Sequence, residues 1–284
     1  MFDILQDTFL DSVKLLPFLF ITYLAMELLE HHSSASMNEK IKKAGRLGPV
    51  WGGILGIVPQ CGFSAAASSL YAGGVISVGT LLAIFLSTSD EMFPIMVSNA
   101  VPFTTIFHIL LCKCGIAILS GLAVNYANKK IFRGRIHRMH IHELCESEDC
   151  HCEDGPYLSA FKHTVKIYIY IFLITFSVSI LMETIGEAQI SQLFSGLPVI
   201  GQMAAALIGL IPNCASSVLI TQLYLSDVIS AGTMMAGLLV NAGVGLLILF
   251  RMNHDRSKDL KILGVLYVLG VFWGVLIDLV GIVF

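Results

Sequence analysis

GIVPQCGFSAAASSLYAGGVISVGTLLAIFLSTSDE, residues 56–91, and GLIPNCASSVLITQLYLSDVISAGTMMAGLLVNAGV, residues 209–244, align at one constant offset without a gap. Gly56 falls on Gly209, Pro59 on Pro212, Cys61 on Cys214 and Ser64 on Ser217. Leu70-Tyr71 then matches Leu223-Tyr224, Val75-Ile76-Ser77 matches Val228-Ile229-Ser230, and Gly79-Thr80 matches Gly232-Thr233. Apolar matches alone carry little weight in so hydrophobic a chain. Pro, Cys, Ser, Tyr, Gly and Thr in a single register mean an internal duplication. Each copy is an apolar run broken at Pro-Gln/Asn-Cys and again at a second polar cluster. Interrupted hydrophobic segments at corresponding places in two halves point to a transporter's binding site.

The 284 residues are 56% hydrophobic and only 13% charged, with mean hydropathy +0.80. Soluble domains carry about 25% charged residues, so the chain is an all-α integral membrane protein, with charges confined to a few blocks. A net charge of −3 offers nothing to nucleic acid. The start, MFDILQDTFLDSV, lacks the basic opening of a cleaved signal, and residues from about 8 onward are expected to form a retained first helix.

Spans are expected at about 10–30, 103–124, 163–184 and 260–283, with broken segments at about 48–101 and 198–250. The chain thus divides into a first transmembrane repeat (1–124), a polar loop (125–162) and a second repeat (163–284). Basic residues cluster at 39–46, 129–138 and 251–261, and basic loops mark the cytoplasmic side. Placing all three inside makes the two copies inverted, with both termini outside. Each broken segment is expected to hold a re-entrant pair of half-helices hinged at Pro59 or Pro212, then a span interrupted near 87–91 or 240–243. Two crossings with a re-entrant second pair is the alternative.

Five groups of residues can carry chemistry. Gln60 and Cys61, with Ser64, and Asn213 and Cys214, with Ser217, would stand at the N-termini of half-helices. Unpaired N–H groups and the helix dipole favour a polar or anionic ligand there; the blander reading is that Gln and Asn merely repair a kink. The cluster Ser87-Thr88-Ser89-Asp90-Glu91 puts two acids deep in an apolar run, whereas the second copy has only Asn241-Ala242-Gly243. Intramembrane carboxylates are costly and usually functional, so one half alone offers proton or cation chemistry, unless the acids cap an external loop. Lys113, near the middle of span 103–124, needs a partner, and Asp90 or Glu91 is expected to supply it, as a structural pair or a coupling site. His108 and Cys112, four apart on one helix face, are a candidate metal pair in the membrane. Finally, the loop gathers His137, His140, His142, Cys145, Cys150, His151 and Cys152. Imidazoles and thiolates suit zinc, copper, cadmium or a thiophilic arsenical, though a solvated linker that happens to hold histidine would read the same. Met92, Met96, Met234 and Met235 read as packing.

The duplicated Pro-Gln/Asn-Cys motifs around a Cys/His-rich loop resemble the bacterial ten-transmembrane heavy-metal exporters, a family grouped with arsenic permeases and including members labelled as manganese transporters. The resemblance implies a multi-pass protein of the cytoplasmic (inner) membrane. Secondary active export of a heavy-metal ion or metalloid, coupled to protons, is the leading expectation. A carrier for a small organic anion is the alternative, and an intramembrane enzyme the remote one. No Walker A or Asp-Lys-Thr-Gly motif occurs, so the chain does not itself use ATP. No cofactor is obligatory, and a metal on the loop is the one the sequence offers. Expected partners are the metal or metalloid cargo and lipid, not nucleic acid, with self-association left open.

Overall fold

The computed structural model describes residues 47–58, 61–89, 91–131, 156–185, 198–253 and 256–284, with scattered helical positions between 9 and 24. Among these residues every regular element is a helix. The first copy runs α1 (Gly48–Leu55), α2 (Cys61–Ala72), α3 (Val78–Ser87), α4 (Met92–Ser98) and α5 (Phe103–Ile131). After α6 (Pro156–Ile185), the second copy runs α7 (Pro198–Gly209), α8 (Cys214–Leu225), α9 (Ala231–Val240), α10 (Val244–Met252) and α11 (Arg256–Val280).

The duplication extends to hydrogen bonds. Ser77 caps α3 by accepting from the N–H of Thr80, and Ser230 caps α9 by accepting from the N–H of Thr233. The N–H of Gly79 donates to Asn125 Oδ1 (3.1 Å); that of Gly232 donates to Asp278 Oδ1 (2.8 Å). Both Gly74 and its counterpart Asp227 take left-handed backbone (φ 74° and 57°) in the turn before. All these pairs share the offset seen in the sequence. Within each copy, moreover, corresponding helices pack together: α1, α3 and α5 in the first, and α7, α9 and α11 in the second.

Among the described residues, four helical stretches are long and apolar enough to cross a membrane: Val78–Ser98, Phe103–Asn128, Ala231–Met252 and Arg256–Val280. The first and third each contain one of the second breaks, as expected of an interrupted span. Helices α1, α2, α7 and α8, of 8 to 12 residues, are individually too short for about 30 Å of hydrocarbon. The helices reach further than hydropathy implied. Helix α5 continues to Ile131 and α6 begins at Pro156, inside the stretch 125–162 read as loop. Loss of hydropathy marks the edge of the hydrocarbon, not the end of the backbone hydrogen bonding.

Helix α5 presents Phe103, Phe107, Leu111, Leu119 and Leu122 outward, an apolar stripe suited to lipid. Its opposite stripe, Ile106, Ile109, Lys113, Ile116, Ala117 and Ser120, is buried. Met92, Met96, Met234 and Met235 are fully buried in a core shared by both copies, as packing residues would be.

Candidate functional site

Each interrupted span breaks for a local reason. At the end of α3, short hydroxyl side chains compete with the helix for its own carbonyls. Ser87 Oγ donates to Ala83 O (2.9 Å), Thr88 Oγ1 to Ile84 O (2.7 Å) and Ser89 Oγ to Ser87 O (3.1 Å). Thr88 itself leaves the helix with ψ 130°. At the end of α9, Asn241 Oδ1 accepts from the N–H of Gly243 (3.0 Å), and Gly243 turns the chain with φ 51° and ψ −137°. A side chain at Gly243 would resist that backbone.

Lys113 joins these two breaks. Its side chain is fully buried, and its ammonium donates to the carbonyl of Thr88 in the first copy and to that of Leu238 in the second, at 3.1 Å. Leu238 lies in the last turn of α9, where carbonyls lack an intrahelical donor. An ammonium buried without partners would cost several kcal/mol. Here carbonyls at the negative ends of two half-helices receive it. The counterpart of Lys113 in the second copy is Leu266, equally buried, so the cation is not duplicated.

The helix that follows the Pro-Cys motif in the first copy also meets the polar break of the second. Ser64, one turn into α2, is buried against Gly245, two residues past Gly243: a methyl on Gly245 would stand 2.8 Å from both the Cβ and the carbonyl oxygen of Ser64. Ser68 Oγ donates to Gly245 O (2.6 Å), and the Oγ of the next residue, Ser69, reaches Met252 Sδ (3.4 Å). Tyr23 OH donates to the same sulfur (3.2 Å). Reciprocally, α8 packs against α4.

In the second Pro-Cys break, α7 ends at Gly209, Pro212 lies in the turn and Asn213 caps α8. Its Oδ1 accepts from the N–H of Ala215 (3.4 Å), so the amide oxygen repairs the break locally while standing nearly buried. Cys61 and Cys214 are the first residues of α2 and α8. Ser217 and Asn241 are buried. Glu91 is half-buried just ahead of α4. His108 is exposed and Cys112 half-buried; among the described residues no three His, Cys, Asp or Glu side chains come together. Gln60, Asp90 and the loop ligands His137, His140, His142, Cys145, Cys150, His151 and Cys152 lie outside the described residues.

One polar cluster escaped the sequence reading. Asp278 accepts from the N–H of Gly232, from Ser230 Oγ (2.7 Å) and from Gln202 Nε2 at the N-terminus of α9. Carrying the repeat offset past residue 244 pairs Asp278 with Asn125 and would have found it.

Buried polar groups thus line the junction between two copies of a membrane-embedded unit, and the Lys113 side chain ties their broken helices together. No curated protein and no solved structure matches the chain. Over residues 1–195, more than half its length, it matches the family described as "Putative, 10TM heavy-metal exporter", and the chain belongs to that family of membrane transporters.

Proposed function

We propose that the chain is a secondary active exporter of a heavy-metal ion or metalloid, driven by protons, with one cargo site where the breaks of the two copies converge. The observation that carries this reading is Lys113, buried and bonded to a carbonyl in each copy. Irregular backbone at membrane depth persists only where protein or a water-filled cavity satisfies it, and the breaks after α3 and α9 share one side chain, as a cargo site between the copies would require.

The copies are inverted about a pseudo-twofold axis in the membrane plane. Two observations favour a twofold relation. Helix α2 packs on α10 while α8, the equivalent of α2, packs on α4, the equivalent of α10. Such reciprocity characterises isologous contacts. Trp273 Nε1 also donates to Ser120 Oγ (2.9 Å), and these two residues occupy equivalent positions, as contacts on an axis do. The basic loops at 39–46, 129–138 and 251–261 favour an axis lying in the plane of a bacterial cytoplasmic membrane, with the polar loop inside. Gln60, Cys61, Asn213 and Cys214 present amides and thiols to the cargo, while Asp90 or Glu91 carries the coupling proton beside Lys113. The loop's histidines and cysteines collect the metal before it enters.

Transport into inverted vesicles, scanned across metal ions, arsenite and organic acids under an imposed pH gradient, tests the reading. Cys61→Ser with Cys214→Ser is expected to weaken accumulation of a thiophilic cargo through affinity, leaving its pH dependence intact. Asp90→Asn or Glu91→Gln is expected to abolish proton-driven accumulation while exchange persists. Accumulation like the parent's at every pH in both acid variants would sink the coupling assignment.

A further inference from the structure

We infer that Lys113 is a built-in co-ion: its ammonium fills a cation site, made by the carbonyl ends of α3 and α9, that would otherwise admit a free monovalent cation. Half-helix C-termini and unwound carbonyls are the groups with which transporters hold sodium at mid-membrane. Both occur here. Leu238 supplies a last-turn carbonyl of α9, and Thr88 supplies the carbonyl of the residue at which α3 unwinds. Ser87, Thr88 and Ser89 add three buried hydroxyls to the same turn. An ammonium is a compact point charge with three donors on a flexible stem, the nearest that a side chain comes to an alkali ion.

The helices supplying the carbonyls belong to different copies, so filling the site also sets how α3 and α9 stand against each other. Helix α5 delivers the charge from its buried stripe, and its exposed stripe leaves no route by which the stem could be mistaken for a surface lysine. The acids nearest in sequence to Thr88 are Asp90, outside the described residues, and Glu91, half-buried ahead of α4. The copy-related position offers Leu266, so a second resident cation is not supplied. Site and occupant stand on geometry alone. The consequence for transport, that the parent needs no sodium or potassium because it carries its own cation, rests on the exporter reading.

The test separates the two. The full-length parent, Lys113→Ala and Lys113→Met are purified in detergent and melted in choline, sodium, ammonium and methylammonium chloride at equal ionic strength. The parent should melt alike in all four. Lys113→Ala should melt lower in choline and rise saturably, by about 5 °C, with ammonium, methylammonium or sodium, as expected when a ligand binds only the folded state. Lys113→Met, whose side chain occupies the space without charge, should be destabilised and indifferent to the salt. A Lys113→Ala protein equally stable in choline and in the small cations overturns the inference. Should Lys113→Ala fold in no salt, Lys113→Gln decides. Melting at the parent's temperature in choline shows that the carbonyls need a donor and no cation, and refutes the site; a drop of more than about 5 °C upholds it. In vesicles, transport by Lys113→Ala should require sodium or ammonium where the parent's does not. A cation-dependent melting temperature without transport of any metal or metalloid would spare the site and refute the exporter reading.

Discussion

Replacing Gly245 by alanine tests the junction of the copies most directly. The added methyl would stand 2.8 Å from Ser64 Cβ and 2.8 Å from the Ser64 carbonyl oxygen, whereas ordinary contact begins near 3.4 Å. Both atoms must therefore recede by about 0.6 Å, and one of them is backbone, so α10 has to move away from α2 as a body. The hydrogen bond from Ser68 to the Gly245 carbonyl, 2.6 Å, stretches to about 3.2 Å and survives. The cost is then overpacking alone, about 1–3 kcal/mol, or a fall of about 2–12 °C in melting temperature. Gly264 is the control: it lies in α11, a methyl added to it would meet nothing within 4 Å, and alanine there should hold or raise the melting temperature. Scanning fluorimetry of detergent-purified variants reads both. Transport by Gly245→Ala should fall at least tenfold, because Ser64 belongs to the proposed cargo site. A Gly245→Ala protein that melts with or above the parent would refute the contact between α2 and α10, and with it the meeting of the breaks.

Asp278→Ala should lower the melting temperature by several degrees, because it strips the acceptor from Gly232, Ser230 and Gln202; Asp278→Asn, which restores the arrangement found at Asn125, should recover about half, and equal losses would refute the capping role. A peptide of residues 135–154 should bind zinc, cadmium or trivalent arsenic with proton release, since thiols deprotonate to ligate; calorimetry without heat or protons for any of them leaves only a solvated linker. A cysteine placed at position 147 in a cysteine-free background should resist an impermeant thiol reagent in intact cells and react in inverted vesicles. Labelling in intact cells would reverse the orientation.

Where side chains announce the backbone, the sequence was informative. Pro212, the hydroxyl run 87–89 and the pair Asn241 and Gly243 mark helix ends that the structure places within a residue or two. Lys113 stood out because hydrocarbon makes an ammonium conspicuous. Its partner in the second copy did not, because Leu238 takes part through a carbonyl that every residue possesses. Only the fold could say which of them faces the charge. Asp278 was overlooked for the opposite reason. It sits near the end of a span, where an acid reads as ordinary capping, and its role at α9 depends on a helix 46 positions earlier. The lengths of α5 and α6 were underestimated because polar residues can continue a helix that apolar ones began.

The reciprocal packing of α2 on α10 and α8 on α4 has a consequence for biosynthesis. Ser68 and the Gly245 carbonyl it bonds are 177 positions apart. At roughly 5–20 residues per second, a ribosome needs about 10–35 s to supply the second after the first. Through that interval α2 waits in the bilayer with a seam of serines and no α10 to cover it. The serines satisfy themselves meanwhile, Ser68 on Ser64 O (3.0 Å) and Ser69 on Ala65 O (3.3 Å), bonds that need nothing beyond their own helix. The nascent first half can therefore persist in lipid without being finished. A polypeptide stopped before α10 would keep that seam bare, and a co-expressed second half could close it, so the two halves should assemble as separate chains.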